Sequence, residues 1–140
     1  MRAIRCIQYG PPESLAVVDL PDLEPQAGEV VIDVKAASVN FPDVLIIENK
    51  YQFKPPLPFT PGSEVAGIVR AVGAGVTQFQ PGARVVAFTG QGGFAEQAVE
   101  AQEQFGAGGC EDRAVDGKGH RGQCLSVLLK EPLVGDAVVA

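Results

Sequence analysis

Hydrogen-bonding side chains and prolines are concentrated in one run of the chain, residues 38–64, which reads SVNFPDVLIIENKYQFKPPLPFTPGSE. Asn40 and Tyr51 carry an amide and a phenol, and both groups donate hydrogen bonds that can polarise an acceptor oxygen. Asp43 and Glu64 add carboxylates towards the two ends of the run. Each proline fixes its own φ and restricts the residue before it, so the turns between these groups are rigid. Residues 38–64 are therefore the candidate functional site.

The sulfur and imidazole side chains of the sequence do not match a known metal module. The three cysteines, Cys6, Cys110 and Cys124, are an odd number without CxxC spacing, and the only histidine is His120. This pattern favours neither a disulfide framework nor a zinc ribbon. Cys110, His120 and Cys124 can be combined with Asp116 into a metal site on paper, but their spacing matches no common module. We expect free thiols and no bound metal.

Composition and charge exclude several classes of partner. The 140 residues include 11 basic and 17 acidic side chains, for a net charge of -6, and the basic ones are scattered. Nucleic-acid phosphates are bound by clustered Lys and Arg, so we expect no nucleic-acid partner. No apolar run approaches the roughly 20 residues of a membrane span, and none near Met1 resembles a signal-peptide core. We expect a cytoplasmic protein with no membrane partner.

Alternating apolar residues and turn residues predict a mainly β domain with one short helix. The strands are predicted at residues 2–8, 15–20, 30–37, 64–73, 83–88 and 92–100, and the first two form a hairpin. In the clearest strand every second side chain is predicted to be buried, namely Val30, Ile32, Val34 and Ala36. Residues 41–50 are predicted to be helical, because Pro42 is tolerated in a first turn and Asp43 suits its positive end. Short strands with long turns predict a barrel-like or sandwich architecture.

The sequence changes character near residue 100. Residues 101–123 have neither helical nor strand periodicity, and only two short apolar runs follow them. We expect one domain in residues 1–100 and a separate tail in residues 101–140.

Three ordered motifs, VNFPD, PFTPGSEVAG and PGARVV, closely resemble the N-terminal, GroES-like domain of the medium-chain dehydrogenase/reductase superfamily. The resemblance is to the zinc-free NADPH:quinone oxidoreductase branch and covers residues 1–100. It implies a partly open GroES-like β-barrel, the catalytic domain, which in this family works with a Rossmann domain. The GAGG of residues 106–109 has no strand before it or helix after it, so we expect the Rossmann domain to be absent here. The tail then reads as a frameshifted or truncated product.

The resemblance also implies chemistry without zinc. Alcohol dehydrogenases of this superfamily carry Cys and His ligands at the positions of Asn40 and Ser63, while Glu64 is expected to be a structural carboxylate. NADPH would supply hydride to a quinone, and a homodimer is compatible with a full-length relative. The alternatives are reduction of an activated double bond, as in an enoyl ketone or thioester, and a non-catalytic truncated product.

Each site residue that the resemblance implies has a structural alternative. Asn40 would meet the substrate oxygen or the nicotinamide ribose, or it would only cap the helix. Tyr51 would donate a hydrogen bond in the cleft, or it would only pack at the rim of the domain. Asp43 would act near the reacting groups, or it would only interact with the helix N-terminus. Thr60, Pro61 and Gly62 would form a turn beside the cofactor, or they would form a turn with a purely structural role.

Overall fold

The computed structural model describes residues 1–102 as six strands, one α-helix and one 3-10 helix. The elements are β1 (Arg2–Arg5), the 3-10 helix (Pro12–Ser14), β2 (Ala16–Asp19), β3 (Glu29–Ala37), α1 (Phe41–Ile47), β4 (Glu64–Val72), β5 (Arg84–Phe88) and β6 (Gln97–Ala101). The prediction of a mainly β domain with a short helix is confirmed. Residues 103–140 lie outside the described part, and with them the GAGG run and the tail residues Cys110, Asp116, His120 and Cys124.

The strands form two antiparallel sheets. β1 pairs with β2 as the predicted hairpin, and the other four strands are ordered β5-β4-β3-β6. Single bridges join Ala3 to Ala95 and Cys6 to Phe59, so β1 and the residue after it pair with segments that precede β6 and β4 in the chain. Neither sheet closes on itself, which fits the expectation of a partly open barrel. Every strand pair in residues 1–102 is antiparallel, so this part of the chain contains no parallel Rossmann sheet.

Two apolar clusters hold the domain together. The main cluster lies on the larger sheet and consists of Val30, Ile32, Val65, Val69, Ala87 and Ala98. The second cluster fixes α1 against the end of β1 and consists of Cys6, Ile46, Ile47 and Phe59. Fully burying one Val, Ile or Phe side chain contributes roughly 1.5–3 kcal/mol, so these clusters are the main stabilising contacts of the described residues.

β3 departs from the strict alternation that the sequence predicts. Its register with β4 shifts between Val31 and Ile32 and again between Val34 and Ala36. Val31 is fully buried together with its neighbours, Ala36 is exposed, and Ala37 packs against the main cluster. The prediction that Ala36 lies on the buried face is therefore wrong. An extra residue in one strand moves every following side chain to the opposite face of the sheet.

Helix α1 is shorter than predicted, because it ends at Ile47 and not at Lys50. Asn40 is its N-cap, and Asp43 at the third helical position completes a capping box. Asn49 has a φ of 59°, a left-handed conformation that continues no α-helix. Among residues 1–102, no helix is long and apolar enough to cross a membrane.

Candidate functional site

The candidate site lies where β3 leads into α1, next to the first residue of β4. The backbone N–H of Ser38 donates to the carbonyl oxygen of Glu64 at 3.2 Å, which extends the β3–β4 ladder by one bond. Asn40 follows two residues later as the N-cap of α1. The sheet thus fixes the helix start beside Glu64, although 24 residues separate Asn40 from Glu64 in the sequence.

Three side chains form a hydrogen-bonded group that we call the amide cluster: Ser38, Asn40 and Glu64. Asn40 Nδ2 donates to Ser38 Oγ at 2.9 Å and to Glu64 Oε2 at 3.1 Å. Ser38 Oγ donates to the same Glu64 oxygen at 2.6 Å. The expectation that Glu64 is a hydrogen-bonded carboxylate matches this geometry. Sequence reasoning missed Ser38, whose spacing of two from Asn40 on an extended chain was the available signal.

Asp43 connects the helix start to the turn before β4. Its side chain is 4% exposed and accepts the backbone N–H of Asn40 at 2.8 Å. It also accepts the backbone N–H of Gly62. Burial raises the pKa of the Asp43 carboxyl and the charge of Glu64 reinforces this, while the two N–H donors oppose it. Asp43 therefore interacts with the helix N-terminus, as its structural alternative predicts. Its bond to Gly62 also holds the helix start and the turn before β4 together.

Thr60, Pro61 and Gly62 form a buried segment whose three carbonyl oxygens are all hydrogen-bonded. Their three carbonyl oxygens accept the N–H groups of residues 92–94 at 2.8–2.9 Å. Gly62 has a φ of 94°, and a Cβ at this position would lie 2.5 Å from Cδ1 of Phe94. The glycine is thus required by backbone conformation and by the Phe94 ring.

The Thr60 hydroxyl has one partner among the described residues. Arg5 Nη1 approaches Thr60 Oγ1 at 3.5 Å, and Arg5 Nη2 donates to the carbonyl oxygen of Pro58 at 2.7 Å. A guanidinium only donates, so Thr60 Oγ1 accepts in this contact and keeps its own hydrogen for another acceptor. The predicted donor role of Thr60 is compatible with this arrangement.

Tyr51 is not joined to the amide cluster by any hydrogen bond. Its half-buried ring packs against the second apolar cluster, behind α1. Its hydroxyl has no hydrogen-bond partner within residues 1–102. The contacts of the structure join Asn40, Asp43 and Gly62, and the catalytic role of Tyr51 stays a prediction.

An apolar cavity of about 450 Å³ lies behind this site. The hairpin, the end of β3, helix α1 and residues 93–96 line it, and Asp43 and Pro61 reach it from the site. Its volume is in the range that binds small organic molecules. Phe41, 75% exposed, lies at the adjoining helix start and adds an uncovered aromatic surface.

Within the described residues, no three His, Cys, Asp or Glu side chains are arranged to hold a metal ion. Cys6 is buried, burial raises the pKa of its thiol, and its Sγ donates to the carbonyl oxygen of Gln8 at 3.3 Å. The expectation of a zinc-free site stays a prediction for the whole chain.

Comparison with known proteins identifies consistent relatives. The family model of the alcohol dehydrogenase GroES-like domain matches residues 26–123. Quinone oxidoreductase of Rattus norvegicus is 47% identical over 103 residues, which are 72% of this chain and 31% of that protein. The human quinone oxidoreductase is 42% identical over 103 residues, which are again 72% of this chain and 31% of that protein.

Solved structures give the same relationship. The Escherichia coli quinone oxidoreductase complexed with NADPH has a TM-score of 0.70 at 32% identity, over 74% of this chain and 32% of that one. An NAD-dependent alcohol dehydrogenase also has a TM-score of 0.70, over 76% of this chain and 39% of that one. The chain spans about a third of the length of the quinone oxidoreductases it matches. Since the family model covers more than half of its residues, the chain belongs to the alcohol dehydrogenase GroES-like domain family, among the medium-chain dehydrogenases/reductases.

Proposed function

We propose that this chain carries the catalytic domain of an NADPH-dependent oxidoreductase that transfers hydride to a quinone. The observation that carries this proposal is the ordered amide of Asn40. It is held by Ser38 and Glu64 and is linked through Asp43 to the buried turn at Gly62. The identity of 47% to a quinone oxidoreductase supports the same activity.

The described residues suit one end of a nicotinamide dinucleotide. Asn40 and Thr60 offer uncharged amide and hydroxyl groups, which match ribose hydroxyls and a carboxamide. Residues 1–102 contain no glycine-rich strand-to-helix turn of the kind that binds a pyrophosphate, and α1 has only seven residues. We therefore propose that the phosphates of NADPH are bound outside residues 1–102. Bound NADPH would supply the hydride.

The protein's own contribution is to position groups and exclude water. The three carbonyls of residues 60–62 are fixed to residues 92–94, so this wall of the site is rigid. Asp43 is buried and holds the N–H of Asn40, which keeps the helix start in place. An apolar cavity next to such fixed polar groups strengthens their electrostatic effect on a bound ligand. The apolar lining suits a planar quinone.

Reduction of an activated double bond is the second candidate. Similar structures include both quinone oxidoreductases and an NAD-dependent alcohol dehydrogenase, so the fold of this domain does not by itself select the substrate. The cytoplasmic location, the homodimer and the domain limits of 1–100 and 101–140 stay predictions.

A chimera tests the proposed function. Residues 1–102 would be joined to the remainder of the Rattus norvegicus quinone oxidoreductase, and quinone-dependent NADPH oxidation would be measured. We expect Asn40→Ala to lower kcat/KM by about 10²–10³, the usual cost of losing one positioned polar group. Asn49→Gly is the matched control, because Asn49 is exposed and its φ of 59° suits glycine. A chimera that binds NADPH and reduces an enone but no quinone would favour the second candidate; an active Asn40→Ala chimera would contradict the role of Asn40.

A further inference from the structure

Strand β5 is an edge of the larger sheet, and its outer side is unpaired within residues 1–102. It pairs with β4 on its inner side, and no described strand pairs with it on the other. Just beyond β5 the N–H of Thr89 donates to the carbonyl oxygen of Ser63 at 2.7 Å, so residues 89, 87 and 85 direct their backbone groups towards β4. The N–H and C=O groups of Val86 and Phe88 therefore point outwards, and no described residue bonds to them.

The same two residues also expose apolar side chains. Val86 is 65% exposed and Phe88 is 57% exposed, and both lie on the face opposite to the buried Ala87. Ile68 on the neighbouring strand is on that face as well and is 37% exposed. The outer side of β5 thus combines backbone groups that lack partners with apolar side chains that lack cover among the described residues.

β5 lacks the features that usually prevent an edge strand from pairing with another strand. Such strands carry proline, a bulge or several charges, or they are covered. The five residues of β5 read RVVAF, with one charge at Arg84 and no proline, and their register with β4 is continuous. At the other side of the sheet, by contrast, the segment before β6 is covered by β1, since the N–H of Glu96 donates to the carbonyl oxygen of Arg2 at 3.0 Å. The edge of β5 is therefore open to an added strand.

We propose that β5 pairs with β5 of a second copy of this chain, antiparallel about a two-fold axis at Ala87. Val86 of each copy then lies opposite Phe88 of the other, and each of these two pairs exchanges two backbone hydrogen bonds. An aromatic side chain opposite a β-branched one is a favourable cross-strand pair. The two four-stranded sheets become one continuous sheet. This inference is independent of the proposed function.

The edge is complementary to itself, which is why the assigned partner is a second copy. In this register the two Arg84 side chains lie six residue positions apart along the strands, or about 20 Å, so like charges do not meet. The net charge of each copy is -6, so their general repulsion opposes pairing at low salt. A pair of five-residue strands also covers much less than the roughly 1,200–2,000 Å² of a stable interface. The dimer is therefore weak and strengthened by salt.

Sedimentation of the full 140-residue chain measures the association. We expect the average mass to rise from the 14.6 kDa of the monomer towards twice that value, with half of the chains paired at roughly 0.1–1 mM protein. Raising NaCl from about 50 to 500 mM should lower the dissociation constant about two- to fivefold, because salt screens the repulsion between the copies. A chain that stays monomeric up to about 2 mM at both salt concentrations would overturn the proposal.

Backbone amide hydrogen exchange of the unmodified chain identifies the interface. The N–H groups of Val86 and Phe88 should exchange about two- to sevenfold more slowly at 2 mM than at 0.02 mM protein, because pairing gives them acceptors. The N–H groups of Val85 and Ala87 bond to β4 and should be protected at both concentrations. Dimers without added protection of Val86 and Phe88 would contradict this interface. Equal protection of both at every concentration would show that another part of the chain covers the edge, which would also refute the proposal.

A charge at position 86 separates this edge from a general effect of charge. Val86→Lys would place two like charges diagonally across the two-fold axis, about 7–8 Å apart, and should raise the dissociation constant at least about tenfold. Val17→Lys is the matched control: Val17 is 72% exposed on β2 of the smaller sheet, and the substitution makes the same change in net charge. We expect it to leave the dissociation constant within about twofold. Equal effects of the two substitutions would exclude β5 as the interface.

Discussion

Replacing Gly62 by alanine tests whether Phe94, in addition to the backbone conformation, requires a glycine at this position. A left-handed φ costs a non-glycine residue about 1–2 kcal/mol, and Gly62 has a φ of 94°. The added Cβ would also lie 2.5 Å from Phe94 Cδ1 and 2.8 Å from the Phe94 backbone nitrogen. Relieving such overpacking typically costs about 1–3 kcal/mol. We expect Gly62→Ala to lower the free energy of unfolding by about 2–5 kcal/mol in total.

Gly28 provides the matched control for this prediction. Its φ of 80° is also left-handed, but a Cβ there would meet nothing within 4 Å. Gly28→Ala should therefore cost only the backbone part, about 1–2 kcal/mol. Urea unfolding of the full chain, with the same denaturant slope for all variants, gives both values. Equal destabilisation by the two changes would refute the steric reasoning and would leave the left-handed φ as the reason for glycine at position 62.

Three further outcomes are expected. Asp43→Ala leaves the N–H groups of Asn40 and Gly62 without their acceptor and should cost about 1–3 kcal/mol for each in urea unfolding; a loss below 1 kcal/mol would contradict the bridge. Because burial raises the folded-state pKa of Asp43, its protonated form contributes stability that is present below the unfolded pKa of about 4 and is lost as pH rises through the folded value. Asp43→Asn should flatten that part of the stability profile, and an unchanged profile would exclude Asp43 as its source. Tyr51→Phe should change the free energy of unfolding by less than about 0.5 kcal/mol, since its hydroxyl has no partner within residues 1–102; a larger loss would reveal one beyond them.

Sequence reasoning predicted the elements well because their signals are local. The alternation of apolar residues indicated the strands, and the turns that separate them are marked by Gly and Pro. The start of α1 followed from Asn40, Pro42 and Asp43, which lie next to one another in the chain. Its end was placed three residues too late, since the left-handed conformation of Asn49 has no periodic signal.

The missed features depend on contacts between distant residues. Ser38 and Glu64 are 26 residues apart, and their hydrogen bond exists only after β3 and β4 have paired. The link from Asp43 to Gly62 is of the same kind. Periodicity describes one strand at a time, so it predicts neither a partner across the sheet nor a register shift.

The register shift in β3 also determines which changes in chain length the domain can tolerate. The shift between Val34 and Ala36 places Ala37 against the main cluster and leaves Ser38 free to bind Glu64. Lys35 is the extra residue at this shift, so deleting it would restore continuous pairing through Val34–Gly67 and Ala36–Ala66 and would keep Ala37 opposite Val65. Over evolutionary time, or in a design, this strand should therefore accept a single-residue deletion at Lys35 more readily than a deletion elsewhere in β3.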